Sequence, residues 1–104
     1  MAYNIQEQVV IDEVAANEDI DKIRQAISKL EESQNRIQQL STMASSMKGQ
    51  TAEAILYQCE RLNKKVSDLI EKLNGSIGFI KDTVQKYKEE DKRKARKIIG
   101  QGGV

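Results

Sequence analysis

Apolar residues along this 104-residue chain fall into two long runs of helical period, separated by one polar break. In the first run Ile20, Ile23, Ile27, Leu30, Ile37, Ala44 and Met47 recur at spacings built from threes and fours, with Gln34 and Ser41 as polar members of the same stripe. In the second, Ala52, Ile55, Cys59, Leu62, Val66, Leu69, Leu73, Ser76, Ile80, Thr83 and Tyr87 hold a three-four alternation. Between them, Ser46-Met47-Lys48-Gly49-Gln50-Thr51-Ala52 interrupts the rhythm. Gly49 can adopt the positive φ that ends a helix, and Gln50 or Thr51 can lead into the next. The pattern predicts an all-α fold, an antiparallel two-helix hairpin forming a single domain over residues 1–104. Helix 1 is expected at about 17–46, the bend at 47–51, helix 2 at about 52–97 and a flexible tail at 98–104.

Local chemistry sets these limits. Asn17 is a good N-cap, and Glu18, Asp19 and Asp21 place negative charge in the turn that follows. Upstream, Val9, Val10, Ile11 and Val14 form a short apolar cluster compatible with an extended arm, a lead-in or the first helical turns. Gly75 and Gly78 each disfavour a helix interior by roughly 1 kcal/mol relative to alanine. The heptad phase nevertheless runs unchanged from Leu73 to Ile80 and from Ile70 to Ile77. Helix 2 is therefore read as continuous, with a three-helix chain as the alternative.

A third apolar column, Leu56, Ile70, Ile77 and Val84, lies beside the first two on helix 2 and is interrupted only at Asn63. One partner helix is satisfied by two columns. The hairpin is accordingly expected to pair into a four-helix bundle, with itself as a homodimer or with another protein as a heterodimer. Its expected partner interface is Leu56, Leu62, Leu69, Ile70, Leu73, Ile77, Ile80 and Val84.

Composition narrows the chemistry. Charged residues make up 32% of the chain and aromatics 4%, and proline is absent, a balance that suits helix-helix association better than a thick globular core. The net charge of +1 hides an asymmetry: Glu7, Asp12, Glu13, Glu18, Asp19 and Asp21 lie early, while Lys86, Lys88, Lys92, Arg93, Lys94, Arg96 and Lys97 crowd the far end. An antiparallel hairpin sets these opposite charges side by side. The basic run invites a nucleic-acid or anionic-membrane reading, but no aromatic residue interleaves it and the chain is almost neutral, so no nucleic acid is expected as a partner. With no histidine and the single Cys59, which is read as packing in the stripe, no ordinary metal or haem site is expected, and neither cofactor nor catalytic residue is assigned. The N-terminus lacks the pattern of a signal peptide and no window is apolar enough to span a bilayer, so a cytoplasmic start without stable membrane insertion is expected.

A hairpin of this length whose bend carries an aromatic, any residue and then glycine resembles the WXG family of small proteins exported by type VII secretion systems. Here Met47 fills the tryptophan position and Gly49 keeps the glycine. The family's tyrosine, followed four residues later by an acid near the end of helix 2, is matched by Tyr87 and Asp91. Replacement of the tryptophan makes the chain more similar to the helical partners that accompany LXG toxins. The resemblance implies a secreted substrate, or a targeting partner and chaperone of an LXG effector. In either role Tyr87 and Asp91 form part of an export signal presented to the type VII secretion ATPase, and the destination is outside the cell or at its surface. The competing reading is a cytoplasmic coiled-coil adaptor or a structural helical module unrelated to secretion.

Overall fold

A computed structural model describes the backbone of residues 5–102 and the side chains of residues 13–93. The chain is an all-α hairpin of two helices, α1 (Ile5–Ser45) and α2 (Gln50–Gly102). Its first helix begins twelve residues earlier than expected, 17 minus 5, so Asn17 lies within α1 and does not cap it. A single Asn costs a helix interior less than about 1 kcal/mol, and Ala15 and Ala16 beside it are the best helix formers available. The second helix likewise outruns its expected end. Residues 98–102, read from their glycines as tail, are helical, and only 103–104 of that segment lie outside the described residues. Through Gly75 and Gly78, α2 is unbroken, which removes the three-helix alternative.

The reversal occupies residues 46–49. Helix α1 closes with tightened turns: the Ser46 and Met47 amides donate to the carbonyls of Met43 and Ala44 at 3.2 and 3.0 Å. The Ser46 hydroxyl adds a bond to the Met43 carbonyl at 2.7 Å. These bonds satisfy carbonyls that have no partner in the next turn. Gly49 has φ of 103°, a left-handed conformation that glycine adopts without a Cβ clash. It does not end α1. Its carbonyl accepts the Glu53 amide at 3.2 Å, making Gly49 the residue from which α2 starts.

The chain divides into two compact units, a bend half of residues 23–75 and an open half of residues up to 22 with 76 onward. In the bend half Ile27, Ala44, Ala52 and Cys59 are buried, with Ile37, Leu56, Val66 and Ile70 among the half-buried side chains around them. Ala44 and Ala52, at 1% and 3% exposure, flank the reversal, where only small side chains let two helices approach so closely. Gln34 Nε2 donates to Ser67 Oγ at 2.8 Å and ties the two helices of this half together. In the open half Ile20 and Ile77 are buried, and Lys88 pairs with Glu13 at 2.5 Å. That ion pair joins the acidic early segment to the basic late one, as an antiparallel arrangement requires.

Candidate partner-docking surface

Six apolar residues form the buried core among the described residues, and none of the large side chains is fully enclosed. Two helices touching along one seam leave the edges of each stripe in water. What those edges carry differs from one side of the seam to the other.

In the bend half, one side holds a groove of about 320 Å³. Ile37 and Leu40 of α1 form one wall, and Ala54, Ile55 and Leu62 of α2 form the other, with Gln58 among the few polar groups. Leu40 and Leu62 remain about half exposed there. Across the seam the smaller hollow, about 210 Å³, shares Ile37 and Cys59, adds Leu56, and is edged by Gln38, Ser41, Glu60 and Asn63. Less apolar surface is left in water there, since Leu56 is half-buried while Leu40 and Leu62 are exposed.

The open half carries its own shallow groove of about 280 Å³, in which Ala15, Ala16 and Asp19 of α1 face Phe79, Ile80 and Tyr87 of α2. Phe79 is 72% exposed. Tyr87 is half exposed and also borders a charged hollow with Lys86, Glu90 and Arg93. Asp91, one turn further along α2, is half-buried. The pair thus shares one end of a helix face, with the tyrosine as its accessible member.

The expected partner interface separates into three groups. Leu62 and Leu69 are exposed. Leu56, Ile70, Leu73, Ile80 and Val84 are half-buried by the chain itself. Ile77, expected to face a partner, is instead buried in the open half's own core at 8% exposure. The third column was the one thought to be surplus, yet α2 turns it inward. The exposed apolar residues are instead Leu62 and Leu69, one heptad apart on the neighbouring column.

Met47 stands half exposed in the bend, two residues before Gly49. Sequence reasoning missed Leu40 and Phe79, which fall outside the periodic columns. Each was visible as a large apolar residue placed next to a stripe position, Leu40 before Ser41 and Phe79 before Ile80. Among the described residues no group of three or more His, Cys, Asp or Glu is arranged to hold a metal ion. Among the same residues no helix is long and apolar enough to cross a membrane.

Fold and surface together define an all-α hairpin whose bend half leaves an apolar groove uncovered. No family model, curated protein or solved structure matches this chain.

Proposed function

We propose that this chain acts by helix-helix docking as a WXG-like protein of type VII secretion, either as the targeting partner and chaperone of an LXG-type toxin or as a secreted substrate. The observation that carries the docking part is the groove beside Leu40 and Leu62, an apolar side of the seam that the chain leaves open to water. A partner's helices covering it complete a bundle. Support for the secretion part comes from Gly49, held at positive φ two residues after Met47, and from Tyr87, exposed near the end of α2. In this reading Tyr87 and Asp91 are presented to the secretion ATPase, and the protein is made in the cytoplasm before reaching the cell surface or the medium.

The test is co-expression with the products of neighbouring genes, followed by mass measurement of the native complex and an export assay. A complex with a helical or LXG partner is the expected result, with Tyr87→Ala or Asp91→Ala stopping export while the complex survives. Unchanged export of both variants removes the signal assignment. A cytoplasmic coiled-coil adaptor would use the same apolar side, and a gene neighbourhood with neither a secretion ATPase nor an LXG protein would favour it.

A further inference from the structure

We propose that the apolar groove of the bend half receives one amphipathic helix of a different protein, whose apolar stripe is flanked on both edges by aspartate or glutamate. The proposal rests on the docking reading above and specifies the chemistry of the partner. On α1, Lys29, Ser33, Arg36 and Leu40 follow one another at four-three-four spacing and so share one line along the helix. On α2, Ala54, Gln58, Arg61 and Lys65 repeat that spacing. Leu40 forms part of one wall of the groove and Ala54 and Gln58 part of the other, so each line continues a groove edge away from the bend.

Both edges are basic. Lys29, Arg36, Arg61 and Lys65 are all exposed, and no acid occupies any of these eight positions; Glu32 flanks the α1 line between its two cations, and Asp68 follows Lys65 on the α2 line. The opposite side of the seam sets Glu60, Gln38, Ser41 and Asn63 around Ile37, Leu56 and Cys59, and none of these three is exposed. The exposed leucines Leu40 and Leu62 and the four cations share the other side. A helix laid in the groove excludes water from its edges, where facing acids attract the four cations and facing bases are repelled. A second copy joined through this same face about a two-fold axis would bring the cations of one chain toward those of the other. Charge complementarity thus selects an acidic partner over self-association.

The test uses two designed amphipathic peptides with identical leucine stripes, one flanked by glutamates and the other by lysines, titrated against the full chain by fluorescence anisotropy. The glutamate peptide is expected to bind at least about tenfold more tightly at low salt, as the sum of several modest exposed pairs, with the preference shrinking as salt is added. Arg36→Glu combined with Lys65→Glu, both at exposed positions where helicity is checked by circular dichroism, should abolish or reverse that preference. Equal affinity for both peptides, or a preference for the lysine peptide, overturns the acidic-partner assignment. A chain that binds neither peptide and self-associates, in a way that Leu62→Glu abolishes, also overturns it while leaving the docking reading intact. A strictly monomeric chain that binds neither peptide removes both.

Discussion

Gln34 and Ser67 meet across the seam of the bend half through a side-chain hydrogen bond of 2.8 Å, in a stripe whose neighbouring positions are apolar. The pair joins one turn of α1 to one turn of α2, and a shift of either helix by one turn would break the bond. Gln34→Ala and Ser67→Ala should each destabilise by less than about 1 kcal/mol, since Ser67 is exposed and water can replace the lost partner. Gln34→Leu together with Ser67→Ala should be neutral or stabilising. Urea unfolding of the two alanine singles and of Gln34→Ala combined with Ser67→Ala measures the coupling, and additive losses would show that the bond contributes nothing.

Gly49, Gly75 and Gly78 make opposite predictions. Gly49 lies at φ of 103° with open space around it, so Gly49→Ala meets no neighbour but forces an L side chain into a left-handed conformation. The cost should be about 1–2 kcal/mol. Gly75 and Gly78 lie in the interior of α2 with nothing within 4 Å of a built Cβ. Alanine at either should stabilise by about 0.5–1 kcal/mol through helix propensity alone. Thermal melts of the three single variants decide the matter, and destabilisation by Gly75→Ala or Gly78→Ala would mean that something outside the chain's own contacts needs those glycines.

How much of this was legible follows from the same residues. The two helices were readable because periodicity and the absence of proline act locally, and the bend because Gly49 sits where the apolar rhythm stops. The start of α1 was not, since Asn17 with acids behind it has the chemistry of a cap and only the continuation of the helix back to Ile5 shows otherwise. The rotation of α2 about its own axis was also hidden. Leu62 and Leu69 on one column and Ile70 and Ile77 on the next have nearly equal apolar character, and which column turns inward is decided by α1, which belongs to another part of the sequence. For that reason Ile77, expected on an outward face, is buried in the chain's own core.

Close approach of the helices at the reversal depends on Ala44 and Ala52, the two most deeply buried residues of the bend half. Ala44→Leu introduces side-chain volume where there is almost no accessible surface left, and should destabilise by about 1–3 kcal/mol. Cys59, buried at 6% exposure in the same half, provides the readout. Its reaction with a thiol reagent requires opening, so labelling should be slow in the parent chain and faster in Ala44→Leu by the factor that its lost stability implies. Equal labelling rates would place the slack somewhere other than the reversal.

The Glu13–Lys88 pair of the open half joins the two ends of the charge asymmetry, yet both side chains keep about two fifths of their surface in water, at 37% and 41%. In that setting the attraction is screened and two long side chains must be ordered to obtain it. Glu13→Ala should therefore cost less than about 1 kcal/mol at low salt and almost nothing at 1 M, where the screening length falls to about 3 Å. Glu13→Lys sets like charges together and should cost more than the alanine variant, while Glu13→Lys combined with Lys88→Glu should restore most of the loss. Melting curves of the four proteins at both salt concentrations test this. A loss that persists at high salt would mean that the packing of the two stems, and not their charges, holds this end of the hairpin closed.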